Sequence, residues 1–274
     1  MFGKTHSGQE NGTRSNSVSD KFYSARIVER RNISDDLLVM QLDPGGDFQF
    51  VPGQYATLGV RTPEKHHERA YSIASAPHEK FMEFFIELVP QGELTPHLFS
   101  QRVGDELTLR KSARGRFTLD RASGRPNHLL LATVTGVAPF VSYVRSLYQK
   151  WKNAEFIGED RLYLLEGASR AIELGYREEL ERLSEDVPWF SYASTISRPW
   201  DDPSWKGETG RVDDLVRKYA DAWGLAPENA TAYLCGHPSM VENVKGILNR
   251  RGWQKGAVKE EIYFVPTKET AHTH

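Results

Sequence analysis

Three side chains close together in the chain could bind a ligand that carries both a diphosphate and a flat ring. Arg69, Tyr71 and Ser72 supply a cation, an aromatic ring and a small hydroxyl within four residues. A guanidinium forms charge-assisted hydrogen bonds with phosphate, and an aromatic ring stacks on another ring. A dinucleotide flavin needs both contacts, together with a small donor near its reactive ring nitrogen. The segment from Arg69 to Ser72, Ala70 included, is therefore a candidate flavin site.

A tight turn later in the chain could bind the phosphates of the same ligand. Gly92, Leu94 and Thr95 follow a predicted strand and come just before a predicted helix. Free backbone N–H groups and the dipole at a helix N-terminus favour phosphate. We include this turn, and Leu88 before it, in the candidate cofactor site.

A third segment has the pattern of a dinucleotide-binding junction. A predicted strand over 128–133 runs into Thr135 and Gly136, and Pro139 suits the first turn of the helix that follows. A dinucleotide pyrophosphate binds at such a junction, outside the carboxyl end of the strand. Val134 stands where glycine would be expected, and we predict that its side chain crowds the pyrophosphate or strains a backbone suited to positive φ.

The elements that must position these residues fall into two patterns. Up to about Asp120, short runs rich in β-branched and aromatic residues alternate with turn signals, which predicts an antiparallel barrel. Further on, apolar strands alternate with helices, which predicts a parallel sheet covered on both faces. The predicted strands are 24–33, 37–42, 56–60, 70–74, 82–89 and 106–109, then 128–133, 162–166, 190–195, 232–235 and 262–265; the predicted helices are 140–150, 177–183, 212–222 and 240–251.

The predicted fold class is therefore a two-domain protein: an antiparallel β-barrel FAD-binding domain followed by an α/β, Rossmann-like domain. We divide the chain into a disordered segment 1–20, a barrel domain 21–121, a linker 122–127, an α/β domain 128–264 and a tail 265–274.

These motifs resemble those of the ferredoxin–NADP reductase family, in particular its bacterial members, over roughly residues 22–264. The family motif R-x-Y-S matches at Arg69–Ser72, and its turn G-x-L-[ST] matches at Gly92–Thr95. The resemblance implies that Tyr71 stacks on the FAD ring, that Ser72 lies near N5, and that the turn holds the FAD phosphates. The motif G-T-G-x-x-P, in which Thr135 would lie between flavin and nicotinamide, matches except at Val134.

The resemblance also implies a site for the 2′-phosphate of NADP. In the family, a Ser-Arg pair after the third strand of the second domain and nearby arginines grip this phosphate. Ser197, Arg198 and Arg211 stand at those positions, with Arg170 as a further candidate. The alternative is that these arginines are merely solvated on loops.

Two further matches complete the reaction centre that the resemblance implies. The family motif C-G-x-P-x-M matches from Cys235 and Gly236, and we assign the thiol to positioning the nicotinamide, without a nucleophilic role. The terminal motif E-x-Y followed by an aromatic matches at Glu261, Tyr263 and Phe264. Tyr263 would cover the flavin face that nicotinamide must reach, Glu261 would bond near Ser72 and Cys235, and Phe264 would contact the FAD adenine or simply end a buried strand.

Composition excludes several functional classes. With 274 residues, a net charge of −2 and a pI near 6.5, the chain gives no support for nucleic-acid binding. No apolar run approaches the ~20 residues needed to cross a bilayer, and residues 1–20 lack a signal-peptide core, so we expect a cytoplasmic protein without membrane insertion.

The single cysteine excludes an intrachain disulfide and a cluster held by several cysteines of this chain. We predict no metal site, and we interpret His66 and His67 as an exposed turn.

The resemblance therefore implies a monomeric FAD-dependent reductase that exchanges electrons between NADP(H) and a separate carrier, ferredoxin or flavodoxin. Two alternatives keep this chemistry: the reductase component of an oxygenase system, and an NAD(P)H flavin reductase. A third, of a different class, is a non-catalytic electron-transfer subunit of a larger complex, and Val134 is its best support.

Overall fold

The computed structural model describes residues 21–263, and the first six strands form one antiparallel sheet, the first sheet. The predictions for 1–20, for Phe264 and for 265–274 thus lie outside the described residues. The strand order is β4-β3-β6-β1-β2-β5. The strands are β1 (Phe22–Asn32), β2 (Leu37–Asp43), β3 (Tyr55–Arg61), β4 (His66–Ser72), β5 (Met82–Glu87) and β6 (Glu106–Arg110), and the short helix α1 (Thr95–Ser100) joins β5 to β6.

The first sheet curls until its two edge strands meet. Just beyond β4, the N–H of Ala74 donates to the carbonyl of Glu83 in β5 (2.8 Å). The alternating inward side chains, such as Leu38, Met40 and Leu58, are fully buried in one core. Alternation of apolar and polar residues with turn signals between them thus predicted the antiparallel half correctly.

The remaining strands form a parallel sheet, the second sheet, in the order β10-β9-β8-β7-β11-β12. Helices cover both faces: α2 and α3 contribute to one core, and α4 and α5 to the other. The strands are β7 (Asn127–Thr133), β8 (Arg161–Ala168), β9 (Phe190–Ile196), β10 (Glu208–Thr209), β11 (Ala230–Gly236) and β12 (Val258–Ile262); the helices are α2 (Ala138–Lys152), α3 (Arg177–Asp186), α4 (Val212–Ala222) and α5 (Pro238–Arg250). The predicted fold class is confirmed.

Helix α4 shows why the helical segments could be found from sequence. Val212, Val216 and Ala220 recur every four residues and are buried on one stripe. Pro139 and Pro238 lie in the first turns of α2 and α5, where the missing N–H costs nothing. No helix within residues 21–263 is long and apolar enough to cross a membrane.

One apolar core joins the two sheets. Leu37, Val39 and Phe85 of the first sheet pack in the same cluster as Phe140 of α2 and Tyr176, which precedes α3. Phe85 meets Tyr176 edge to face, with ring centroids 5.5 Å apart. The cleft between the sheets is therefore backed by a shared, closely packed core.

Two strand predictions were wrong in position. The last strand was predicted at 262–265 but spans Val258–Ile262, so that Glu261 lies in the strand and Tyr263 just after it. The fourth strand was predicted at 70–74 but spans His66–Ser72, so that His66 and His67 are half-buried residues of β4 and do not form an exposed turn. Both β12 and β4 are edge strands, and edge strands carry charged and polar side chains that hide the usual apolar alternation.

Candidate active site

The Ser72 hydroxyl is one point where polar side chains connect the two sheets. Its Oγ donates to Oε1 of Glu261 (2.7 Å), although the two residues lie 189 positions apart. The hydroxyl of Tyr263 donates to Ser72 Oγ (3.0 Å) and lies 3.4 Å from the carbonyl oxygen of Thr135. The end of β4 is thus tied to the end of β12 and to the turn after β7.

Burial controls the charge of these groups. Burial raises the pKa of the Glu261 carboxyl, and the hydrogen bond from Ser72 opposes that rise. Burial, with the neighbouring Cys235 and Glu261, holds the pKa of Tyr263 well above its usual range. The Cys235 thiol is fully buried, and burial followed by the nearby Glu261 raises its pKa well above the ordinary value. A thiol that stays protonated is a poor nucleophile, which fits a positioning role.

The candidate flavin side chains lie on the edge strand β4. Arg69 is exposed, and its guanidinium donates to Oε2 of Glu93 (2.7 Å). The Lys65 ammonium contacts the other oxygen, Oε1, of the same carboxylate (2.7 Å). Hydrogen bonds from Lys65 and then Arg69 lower the pKa of Glu93. Tyr71 packs its half-buried ring against the first-sheet core. Ala70 is exposed.

The turn between β5 and α1 is braced by its own polar groups. The Thr95 hydroxyl accepts from the N–H of Val89 (2.9 Å) and donates to the Val89 carbonyl (3.0 Å), to which Gly92 N–H also donates (2.8 Å). Leu94 is buried and precedes α1 without capping it by a side chain. Leu88 is half-buried and donates its N–H to the Asp36 carbonyl (2.8 Å). The Thr95 side chain therefore shapes this turn and is occupied within it.

A cavity of about 510 Å³ opens at the carboxyl ends of the parallel strands. This is where open α/β sheets bind nucleotides, and the volume suits a small-molecule site. Both sheets contribute to its walls. The residues that line it are Asp36, Leu37 and Glu87 from the first sheet and its turns, and Thr133, Val134, Thr135, Gly167, Ala168, Ser169, Glu173, Ser197, Gly210, Arg211, Val212, Asp213, Gly236, His237, Ser239, Met240 and Tyr263 from the second half.

Two glycines let the turns at the floor of this cleft touch. A Cβ on Gly136 would lie 2.3 Å from the carbonyl oxygen of Cys235. A Cβ on Gly236 would lie 2.2 Å from Thr133 Oγ1, and Gly236 also has φ +127°. Val134 adopts φ +46°, so the strain expected at this position is present. A larger residue at position 136 or 236 would push apart the two turns along which a dinucleotide would bind.

The four residues proposed for a nucleotide phosphate are only partly assembled. Ser197 and Arg211 line the cleft, and Arg211 Nε donates to Asp213 Oδ1 (3.2 Å). Arg170 Nε donates to Glu173 Oε1 (2.9 Å) and does not line the cleft. Arg198 is exposed, and its backbone N–H donates to the Ser169 carbonyl (2.9 Å). Like Arg170, it does not line the cleft.

Sequence reasoning missed the first-sheet wall of the cleft. Asp36 and Glu87 lie on that wall because the two sheets pack together, and no local pattern predicts such packing. His237 was visible in its motif but received no role. It caps α5, where Nδ1 accepts from Ser239 N–H (3.2 Å), and its own N–H donates to Thr133 Oγ1 (2.8 Å).

The groups present suit a flavin dinucleotide and a pyridine dinucleotide by their donor chemistry. On β4 an exposed guanidinium, a half-buried aromatic ring and a hydroxyl follow one another. Across the cleft, the Gly136 and Gly236 turns pack so closely on Cys235 and Thr133 that no Cβ fits at either position.

Comparisons with known proteins agree with this geometry. Residues 24–118 match the oxidoreductase FAD-binding domain family, and residues 130–246 match the oxidoreductase NAD-binding domain family. The chain is similar to ferredoxin–NADP reductase A of Sorangium cellulosum, with 31% identity over 245 residues that cover 84% of each chain. It is similar to the toluate 1,2-dioxygenase electron transfer component of Pseudomonas putida, with 32% identity over 85% of this chain and 65% of that one.

A solved structure shares the fold. The ferredoxin NADP⁺ reductase of Neisseria gonorrhoeae, with bound FAD and NADP, superposes with a TM-score of 0.77 at 23% identity, covering 89% of this chain and 99% of that one. The two domain matches and the similarity along most of the chain lead to one assignment. The chain belongs to the ferredoxin–NADP reductase family.

Proposed function

We propose that the protein transfers hydride between NADP(H) and FAD and exchanges single electrons with a separate ferredoxin or flavodoxin. One observation carries the proposal: the Ser72 hydroxyl of the candidate flavin strand bonds Glu261 and Tyr263 at the edge of the candidate nucleotide cleft. The two candidate cofactor sites would therefore share one polar contact. When bound, FAD supplies a ring that accepts hydride and can release electrons one at a time.

In this function, the side chains of the protein bind and orient the two cofactors and keep water away from them. Arg69 would neutralise the FAD diphosphate in competition with Glu93, and Tyr71 would support the ring. Ala70, Leu88, Gly92, Leu94 and Thr95 would shape the surrounding site, and Phe264 stays a prediction outside the described residues. Thr135, Gly136 and Gly236 would bring the nicotinamide against the flavin, Cys235 would back it, and Tyr263 would move aside.

NADP(H) is the proposed nucleotide because arginines lie on the loops at and near the cleft, where they could bind its 2′-phosphate. Arg211 and Ser197 line the cleft, while Arg198 and Arg170 lie on the loops that follow β9 and β8. Each charge-assisted hydrogen bond to a 2′-phosphate would contribute about 1.5 to 3 kcal/mol.

The proposed carrier is acidic, because a basic cavity of about 500 Å³ lies on the first sheet next to the flavin strand. Lys21, Arg110, Lys111 and Arg114 line it, and Tyr55 in its wall pairs with Ser72 across the β3–β4 ladder. Complementary charge steers such a partner to the surface. We further propose a cytoplasmic monomer with the domain boundaries predicted from sequence.

The oxygenase relative supports a second candidate, the reductase component of an oxygenase system. That relative is longer, since the aligned part covers 65% of it. This chain has one cysteine and so cannot itself hold a cluster through several cysteines. A reductase of this kind would also deliver electrons to a separate protein.

Anaerobic mixing of the FAD-loaded protein with NADPH tests the proposal. We expect rapid bleaching of the flavin absorbance, and reoxidation when a flavodoxin or ferredoxin is added. Ser72→Ala should slow bleaching and retain FAD, because it removes the hydroxyl at the reaction centre without touching Arg69 or Tyr71. Absence of bleaching in the wild-type protein would leave the non-catalytic subunit as the better reading.

A further inference from the structure

An ion cluster that contains the buried Glu83 joins the two halves of the protein, and its members do not line the candidate nucleotide cleft. Arg145 of α2 forms a two-pronged pair with Glu179 of α3, with Nε and Nη2 each 2.7 Å from a carboxylate oxygen. Its Nη1 donates to Glu83 Oε1 of β5 (2.9 Å) and lies 3.5 Å from Glu79 Oε2. One guanidinium thus bonds a carboxylate of the first sheet, on β5, and a carboxylate of helix α3 in the second half.

Glu83 is the partner on the first sheet, and it is held firmly. Its side chain is 8% exposed, and it also accepts from the hydroxyl of Tyr176 (3.0 Å) and from Nε2 of Gln41 (2.8 Å). Arg145 is 16% exposed. Arginine is the suitable cation here, because its planar fork can bond several carboxylate oxygens at once.

The same helix reaches two segments of the first half: Ser142 bonds the segment just beyond the flavin strand, and Tyr143 bonds the segment after β6. Ser142 Oγ donates to the Ser75 carbonyl (2.7 Å), three residues beyond Ser72, and the Tyr143 hydroxyl donates to the Phe117 carbonyl. Ser75 Oγ in turn accepts from the N–H of Glu83 (3.0 Å). Helix α2 begins directly after the Thr135–Gly136 turn. Its contacts therefore connect the Thr135–Gly136 turn, called the nicotinamide turn below, to the segment just beyond the flavin strand β4.

The charge balance makes Arg145 the critical member of the cluster. Three carboxylates surround a single cation. Removing the cation leaves these carboxylates facing one another across the interface, and an uncompensated buried charge is strongly destabilising. The sheets would separate slightly or rotate to admit water.

We propose that Arg145 is a positioning residue that sets the distance between the nicotinamide turn and the flavin strand. Arg145 does not line the cleft, so it acts through α2 and not by contact with nucleotide. Hydride transfer depends steeply on the separation of the reacting atoms, and a misplacement of about 1 Å can cost on the order of 10²-fold in rate. The inference rests on the proposed function for its kinetic form.

Stopped-flow reduction of FAD-loaded variants by NADPH tests this role. Arg145→Met should lower the limiting rate of flavin reduction by about 10²-fold, with unchanged apparent Kd for NADPH and unchanged FAD content. Arg145→Lys should recover only part of the rate, because lysine keeps the charge and loses the planar fork that bonds Glu179 and Glu83 together. The matched control is Arg182→Met, which removes an exposed arginine whose partner Asp186 lies on the same helix, and it should match the wild type.

Glu83→Gln removes the first-sheet carboxylate and serves as a second variant if Arg145→Met folds poorly. It should also slow reduction, and the double variant should be no slower than Arg145→Met alone, because both changes break one contact. Hydrogen exchange gives a readout without turnover: Arg145→Met should raise exchange in α2 and in residues 73–83 together.

Each outcome separates this inference from the proposed function. If NADPH fails to bleach the wild-type protein, the proposed function falls, and hydrogen exchange still decides whether Arg145 holds the interface. A wild-type limiting rate in Arg145→Met, a loss confined to Kd or FAD content, or unchanged exchange on both sides would overturn the positioning role.

Discussion

Val134 adopts a backbone conformation that β-branched residues rarely take, with φ +46° at the floor of the cleft. Strain of this kind costs on the order of 1 to 3 kcal/mol and persists only where the surroundings enforce it. Here the enforcing contacts are the Gly136 turn against Cys235 and the half-buried packing of Val134 on the shared core. The motif left two outcomes open for Val134, crowding of the pyrophosphate or a strained backbone, and the positive φ shows the second.

Glu166 is the buried ionisable residue with the clearest consequence for stability. It is fully buried on β8, and the Tyr192 hydroxyl donates to its Oε2 (2.6 Å). Burial raises the pKa of the Glu166 carboxyl to about 8 from 4.5, against the opposing hydrogen bond from Tyr192. The folded protein therefore keeps a proton between about pH 4.5 and 8 that the unfolded chain releases, so this residue lowers stability as the pH rises through that window, by on the order of 5 kcal/mol in total.

Glu166→Gln should remove this dependence. The free energy of unfolding of the variant, from urea titrations, should exceed that of the wild type by a margin that grows from about pH 5 to about pH 8. Glu185→Gln, at an exposed position of α3, is the matched control and should leave the pH dependence unchanged. A constant margin at every pH would show that Glu166 does not hold the extra proton.

At the scale of elements, the strands and helices of the interior were predictable and the edges were not. The interior strands β7 and β8 are continuous apolar runs, and α4 was predicted with its observed bounds. Edge strand β4 begins with His-His-Glu, and edge strand β12 ends in Glu-Glu-Ile. Neither has a clear apolar alternation, so the pairing of each depends on a neighbouring strand elsewhere in the chain. The candidate site divides in the same way: Ser72 and Cys235 belong to motifs that the sequence shows, whereas Asp36 comes to the cleft only through the packing of the two halves.

The loop after β9 gives a prediction about nucleotide choice. Arg198→Glu should raise the KM for NADPH far more than that for NADH, because only NADPH carries the 2′-phosphate. Loss of one charge-assisted bond of about 1.5 to 3 kcal/mol corresponds to a factor of about 10 to 10². Steady-state kinetics with both nucleotides, with Arg182→Glu as control, measures it. Equal effects on the two nucleotides would remove Arg198 from the phosphate site.

At the scale of the whole molecule, the shared core predicts that both halves unfold together. All six tryptophans lie in the second half, at positions 151, 189, 200, 205, 223 and 253, while the candidate flavin strand lies in the first. Tryptophan fluorescence and flavin fluorescence therefore report different halves. In urea, both signals should give one midpoint, because Phe85, Leu37 and Val39 are packed in the core of the second sheet.

Phe85→Ala should separate the two midpoints. It removes the ring that packs on Tyr176 across the interface, and a truncation of this kind costs about 3 to 5 kcal/mol. Phe84→Ala is the matched control: its neighbouring ring is buried in the first-sheet core alone, so the protein should lose stability with coincident midpoints. Coincident midpoints in Phe85→Ala would mean that polar contacts such as those of Arg145 suffice for coupling.

The Tyr263 hydroxyl, bonded to Ser72 and close to Thr135, has a consequence for turnover. On the proposed function, this side chain is an intramolecular competitor of the nicotinamide, present at a fixed and high effective concentration. It therefore lowers the affinity for fresh nucleotide and for spent nucleotide alike, because either must displace the same ring. Affinity and product release are thereby tied to one ring, and neither can be improved without loss to the other.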